Sequence, residues 1–114
     1  MASVAIAFPI LPGQTDAAKE FARQLMGPRR AEFTAAEKRF RFTRQSWYLQ
    51  PTPAGVQLIA YLEADDPLRS FQQFAAAQDP FDLWYKEQVH TLSGLDMSQP
   101  PPGLPEQILE WAAD

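Results

Sequence analysis

Two apolar runs joined by a short turn lie at the middle of the chain, between Arg44 and Glu63. The first run reads RQSWYLQ, the turn reads PTPAG, and the second run reads VQLIAYLE. Successive side chains of a strand point to opposite faces of a sheet, and proline with glycine is typical of turns. The pattern therefore predicts a β-hairpin, and both faces of its second strand are largely apolar.

The hairpin follows one strand and a stretch of helical sequence. Residues 3–10 form a short apolar run without helical periodicity, which predicts a strand that ends near a proline. Apolar residues then recur with a period near 3.6 after Thr15, the predicted N-cap. Gly27 and Pro28 interrupt the pattern, so we expect the helix to break there and a second helical segment to cover residues 29–42.

Helical sequence also follows the hairpin. The Asp-Pro pairs at residues 66–67 and 79–80 each combine a capping carboxylate with a proline suited to the first helical position. Two further helices are therefore predicted, and Gly94 is the expected end of the second. The proline-rich run QPPPGLP has no helical potential. Beyond it, residues 106–112 (EQILEWA) are interpreted as a last strand, with a terminal helix as the alternative.

This order of elements predicts an α+β fold. Strand, broken helix, strand, strand, broken helix and strand is the ferredoxin-like βαββαβ order, with a four-stranded antiparallel sheet and helices on one face. Helices on one face leave the second apolar face of the sheet uncovered. We therefore expect a homodimer in which two such sheets pack face to face and form an α/β barrel.

Composition and charge narrow the class of protein. With 114 residues, 46% of them hydrophobic, the chain fits a single domain over residues 1–114. It has no cysteine, and we recognise neither a signal peptide nor an apolar run of about 18 residues, so we expect a cytoplasmic protein that does not bind a membrane. The net charge of −4 argues against nucleic-acid binding.

The basic residues are concentrated between Arg29 and Arg44, where six of them accompany two glutamates. This segment fits an anionic ligand or the acidic surface of a second subunit. The alternative is a solvated helix face with pairs four residues apart, such as Glu37 with Arg41.

Four segments carry a resemblance to a known family. They read FPILPGQTDAAKEFARQL, GPRRAEF, RQSWYLQ with VQLIAYLEADDP, and DPFDLWYKEQV, and together they span most of the chain. In these segments the chain resembles the dimeric α/β-barrel superfamily of antibiotic-biosynthesis-monooxygenase-like domains. It resembles more narrowly a group of uncharacterised small bacterial proteins within that superfamily. Because the superfamily includes oxygenases, isomerases and haem enzymes, the resemblance implies a fold and a dimer rather than one activity.

The residue types disfavour metal and haem sites. The chain has one histidine, His90, and no cysteine, so it lacks the ligands of a multi-histidine or thiolate site. Carboxylates between residues 65 and 82 are the alternative ligands, but the Asp-Pro pairs are better explained as helix caps. Haem-degrading members of the superfamily use a helix histidine with a tryptophan and an asparagine. His90 and Trp84 are present, but the chain contains no asparagine, and we expect neither a metal nor a cofactor.

The remaining hypothesis is an apolar ligand pocket between sheet and helices. Its walls are expected to come from five aromatic residues, Trp47, Tyr48, Tyr61, Trp84 and Tyr85. Arg44 and His90 are the catalytic candidates, because a guanidinium can hold an anionic or enolate oxygen and an imidazole can transfer a proton near neutral pH.

Three functions are compatible with these residues. The first is the binding of a small apolar or weakly anionic molecule by a small homodimeric protein. The second is a cofactor-free monooxygenase-like or isomerase-like activity on an aromatic or polyketide-like compound. The third is a structural or regulatory dimer without a ligand, in which the aromatic side chains fill the core and the dimer interface.

Overall fold

A computed structural model describes residues 2–113, which form a small α+β fold with three strands and four helices. In chain order the elements are β1 (Ala2–Pro9), α1 (Thr15–Met26), α2 (Arg30–Arg39), β2 (Phe42–Thr52), β3 (Gly55–Ala64), α3 (Pro67–Ala76) and α4 (Pro80–Ser93). The strands form one antiparallel sheet in the order β1-β3-β2. This arrangement is compatible with the ferredoxin-like order up to its last strand.

The predicted hairpin forms β2 and β3. Trp47 lies opposite Ala60 in the register, so these two side chains share one face of the sheet. The turn is closed by the Thr52 hydroxyl, which donates a hydrogen bond to the Gly55 carbonyl at 2.7 Å. Gly55 has a φ of 124°, a conformation that residues with a side chain rarely adopt. The turn thus fixes the register that places Trp47 on the helix-covered face.

Most helix boundaries follow the predicted residues. The Oδ1 atom of Asp66 caps α3 by accepting a hydrogen bond from a first-turn amide at 3.2 Å. Gly94 ends α4 with a left-handed φ of 78°. Gly27 and Pro28 lie in the break between α1 and α2, as expected. Thr15 is not the N-cap, however, because it is already the first residue of α1.

The prediction of a fourth strand is wrong. Residues 106–112 form neither a strand nor the alternative helix. Ile108, Leu109 and Trp111 are 88, 81 and 81% exposed, so this segment does not pack on the described body. The preceding run QPPPGLP favours an extended conformation, and its prolines lack the amide N–H groups that a sheet uses for hydrogen bonds. No turn brings residues 106–112 back to the open edge of β1. The sheet therefore has three strands, with β1 and β2 at its edges.

The two faces of the sheet differ in burial. On β3, Leu58, Ala60 and Leu62 are buried in the same core cluster as residues of all four helices. On the opposite face, Tyr48 is 61% exposed, and Tyr61 is only partly buried. The helices thus cover one apolar face, as the sequence pattern indicates, and the dimer that would cover the other stays a prediction.

An aromatic cluster joins the helix layer to the sheet. The Tyr85 ring of α4 packs against Phe21 of α1 and Phe74 of α3, with centroid distances of 5.1 and 5.4 Å. It also lies 6.3 Å from Phe33 of α2 and from Trp47 of β2. Such ring pairs contribute about 0.5–1.5 kcal/mol each beyond the burial of their area.

No helix within residues 2–113 combines the length and apolar character that a membrane crossing requires.

Replacing Phe21 with alanine is expected to lower the free energy of unfolding by about 3–5 kcal/mol, because its buried ring contacts three other aromatic rings and its loss leaves a cavity. Urea unfolding followed by far-UV circular dichroism measures the change. The matched control Trp111→Ala removes an exposed ring and is expected to cost less than about 0.5 kcal/mol. Equal losses in the two variants would contradict this description of the core.

Candidate functional site

A cavity lies between the helix layer and the inner face of the sheet. Its lining is mainly aromatic and aliphatic and includes side chains from every strand and helix. The space open to the centre of a water-sized sphere is about 40 Å³, whereas one water needs about 10–15 Å³. The cavity is therefore large enough for a few water molecules or a small group of a ligand.

A wider groove adjoins this cavity beneath the segment that follows α4. It has a volume of about 250 Å³ and is covered by residues 95–105, which include the proline-rich run. Four side chains line both spaces, namely Ile6, Phe71, Phe74 and Met97. The cavity and the groove thus have a common wall.

A polar triad of Glu37, Gln45 and Trp47 lines one part of the mainly apolar cavity. The Nε2 atom of Gln45 donates to Oε2 of Glu37 at 2.8 Å, and the indole Nε1 of Trp47 donates to Oε1 of Gln45 at 2.8 Å. Burial raises the pKa of Glu37 from 4.5 to about 7, although the hydrogen bond from Gln45 opposes this change. A carboxyl group that titrates near neutral pH can both donate a proton to a bound molecule and accept one from it.

Burial also raises the pKa of the Tyr85 hydroxyl well above its usual value, and the negative charge of Glu37 acts in the same direction. Tyr85 therefore stays protonated at neutral pH. Its ring and its hydroxyl add an amphipathic side chain to the cavity lining.

A second carboxylate reaches the cavity from α4. Asp82 is 1% exposed, and its Oδ2 atom accepts a hydrogen bond from Nη2 of Arg39 at 2.6 Å. Its Oδ1 atom is buried and has no hydrogen-bond partner among the described residues. The same Arg39 group lies 3.4 Å from Oδ2 of Asp79, which occupies the N-cap position of α4 without a side-chain capping bond. These ion pairs connect α2 to the start of α4.

Of the five predicted wall residues, Trp47 and Tyr85 line the cavity, and their rings are 6.3 Å apart. Trp84 faces a different environment: its ring packs edge-on against Phe21 at 5.4 Å, and the guanidinium of Arg29 lies 3.9 Å from its centroid. The structure therefore brings together only Trp47 and Tyr85 around the cavity.

The other predicted residues lie elsewhere. Tyr48 and Tyr61 are on the outer face of the sheet, where the Tyr61 hydroxyl donates to Glu63 Oε2 at 2.5 Å. Arg44 belongs to β2, which is an edge strand of the sheet, and its side chain is exposed. It lines a surface groove that also contains Glu37 and Gln45. His90 is exposed on α4. Their roles in binding or catalysis stay predictions.

Glu37, Gln45 and Asp82 were missed as pocket residues. The spacing of four residues predicts a pair of Glu37 with Arg41, but α2 ends at Arg39, and Arg41 has a left-handed φ of 63°. A signal was present: Glu37 falls four residues after Phe33, within the apolar stripe of α2. A carboxylate in such a stripe indicates a polar group that faces the interior of the fold.

Among residues 2–113, no group of three or more histidine or acidic side chains could hold a metal ion.

The folded protein is expected to lose stability as the pH rises from about 4.5 to about 7. In this interval the Glu37 carboxyl is ionised in the unfolded chain but still protonated in the folded chain, so removing protons favours unfolding. The variant Glu37→Gln is expected to remove this dependence of the unfolding free energy on pH, which amounts to about 3 kcal/mol over the whole interval. Urea unfolding at several pH values measures it.

The matched control is Glu32→Gln, which changes an exposed glutamate of the same helix and is expected to keep the wild-type slope. An unchanged slope in Glu37→Gln would show that the Glu37 carboxyl ionises alike in the folded and unfolded chains.

Comparisons of the chain with protein-family models, with curated proteins and with solved structures give no match. The structure establishes the coarse fold, an antiparallel sheet with helices. The finer resemblance to antibiotic-biosynthesis-monooxygenase-like domains rests on the four sequence segments and stays a proposal.

Proposed function

We propose that the protein binds a small, largely apolar molecule in the cavity between sheet and helices. The observation that carries this proposal is the hydrogen-bonded triad of Glu37, Gln45 and Trp47 in a mainly apolar lining. Ligand pockets characteristically combine an apolar lining with a few placed polar groups that fix the orientation of the ligand. A core that served only for packing would have no need of a carboxyl group at this position.

The volumes set the size of the ligand. A cavity of about 40 Å³ accepts only part of a typical small molecule, but the adjoining groove adds about 250 Å³. Met97 lines both spaces, and the unbranched methionine side chain adapts its shape easily. A displacement of Met97 joins the two spaces, so the ligand has one end in the cavity and the remainder beneath the proline-rich segment.

A catalytic role is the second candidate, and the raised pKa of Glu37, about 7, favours it. In a cofactor-free oxygenase-like or isomerase-like reaction, Glu37 transfers a proton to or from an aromatic or polyketide-like compound in the cavity. Glu37 takes the place of Arg44 and His90 in this proposal, because it lines the cavity and they do not. The third hypothesis, a dimer without a ligand whose core is filled by side chains, stays a prediction.

We also propose that two copies of the chain pair through the outer face of the sheet. Tyr48 of β2 is 61% exposed there, and it lies opposite Ile59 in the register. Tyr61 lies on the same face and is partly buried. An exposed aromatic side chain on an uncovered sheet face is typical of an interaction surface, and a two-fold axis covers the same residues on both copies at once.

The cavity proposal is tested with fluorobenzene as an apolar probe. Its 19F NMR signal is expected to shift and saturate with the wild-type protein, whereas Ala36→Leu is expected to weaken binding about tenfold or more because Ala36 is buried and lines the cavity. The matched control Ala35→Leu makes the same change at the exposed neighbouring position and is expected to bind like the wild type. Equal binding by both variants would place the probe elsewhere.

The dimer is tested by light scattering. Tyr48→Glu is expected to convert a dimer into a monomer, because pairing would bury the new charge. Leu83→Glu is the control, since Leu83 is a 45% exposed apolar residue on α4, and it is expected to stay dimeric. A monomeric wild-type protein would exclude this pairing.

A further inference from the structure

The surroundings of Asp82 point to the chemical class of the ligand. Oδ2 is held by Arg39, but the buried Oδ1 atom has no partner among the described residues, and Asp82 lines the cavity. A carboxylate oxygen that leaves water without gaining a donor destabilises the folded state, so buried carboxylate oxygens are rarely left in this condition. The position therefore calls for a donor that enters through the cavity.

We propose that the ligand carries a hydroxyl group that donates a hydrogen bond to Oδ1 of Asp82. This inference rests on the proposed binding in the cavity and adds the polar group that orients the ligand. A hydroxyl is small enough for the inner space of about 40 Å³. The rest of the molecule extends along the apolar lining.

An acidic group is a poor fit at this position. The Asp82 carboxylate repels a ligand anion at close range, and Glu37, which lines the same cavity, adds to this repulsion once it is ionised. Ionised carboxylates only accept hydrogen bonds, so an anion at Oδ1 would leave that atom without a donor.

An ammonium group is also disfavoured, because the Asp82 charge already has cations near it. Arg39 pairs with Oδ2 at 2.6 Å. Lys86 is buried on the same helix, and its Nζ atom donates hydrogen bonds to the carbonyls of Ala75 and Ala77 at 2.9 Å each. Burial lowers the pKa of Lys86, whereas the negative charge of Asp82 raises it. A neutral donor satisfies Oδ1 without adding a third cation to a buried site.

The lining favours an aromatic or otherwise flat body for this ligand. Phe71 and Phe74 line both the cavity and the adjoining groove, and aromatic rings pack well edge-on or offset against another ring. A phenol is the simplest compound that combines such a body with a neutral hydroxyl donor.

The test compares 4-fluorophenol with 4-fluoroanisole by 19F NMR titration of the full-length protein. The two probes share the fluorinated ring, but only the phenol can donate a hydrogen bond. We expect the phenol to bind about tenfold more tightly, as a hydrogen bond to a charged group provides. Equal affinities would overturn the hydroxyl inference and leave the binding proposal standing. If neither of these probes nor fluorobenzene binds, both proposals are overturned.

Three variants locate the hydroxyl. Asp82→Asn is expected to abolish the preference for the phenol, because Arg39 then holds the amide oxygen and an N–H donor faces the cavity. Asp79→Asn makes the same change in the exposed carboxylate beside Arg39 and is expected to keep the preference. Glu32→Gln, which changes an exposed glutamate of α2, is expected to keep it as well.

A preference that survives in Asp82→Asn would place the hydroxyl at another group and overturn the inference. Circular dichroism checks that each variant is folded. The comparison of the two probes with the wild-type protein decides the hydroxyl question even if Asp82→Asn does not fold.

Discussion

The ring of Tyr85 lies where the four helices meet the sheet. It contacts Phe21 of α1, Phe33 of α2, Phe74 of α3 and Trp47 of β2, and it belongs to α4 itself. Aromatic side chains bury a large area, and their preferred edge-on contacts restrict how neighbouring elements are placed. Because every layer of the fold meets at this ring, the position of each helix relative to the sheet depends on this packing, and so does the shape of the cavity beside it.

Polar groups enter this apolar layer from two helices. Glu37 of α2 bonds to Gln45, whereas Asp82 of α4 pairs with Arg39 through one oxygen only. Buried carboxyl groups lower stability unless they are paired, and here Oδ1 of Asp82 gains no donor from the described residues. Buried ionisable groups that lower stability are characteristic of functional sites.

Local signals predicted the local structure well. The hairpin, the cap at Asp66 and the end of α4 at Gly94 each depend on residues within one turn of chain, and the structure has all three. The fourth strand depended on a topological argument rather than a local signal, and it is wrong because residues 106–112 lie away from the sheet edge. The carboxyl groups of the cavity were missed because the packing of α2 against β2 and α4 is tertiary, and because the spacing of four residues from Glu37 to Arg41 fits a surface ion pair as well as its spacing from Phe33 fits a buried position.

The ammonium group of Lys86 has a mechanical consequence. It donates to the carbonyls of Ala75 and Ala77, at and just beyond the end of α3, so it joins that end to the middle of α4. Arg39 in turn holds the start of α4 against α2. Met97 lies in the wall that the cavity shares with the groove, and the covering segment after α4 contains no regular secondary structure between residues 98 and 105. A movement of that segment therefore requires neither a helix nor a strand to unfold.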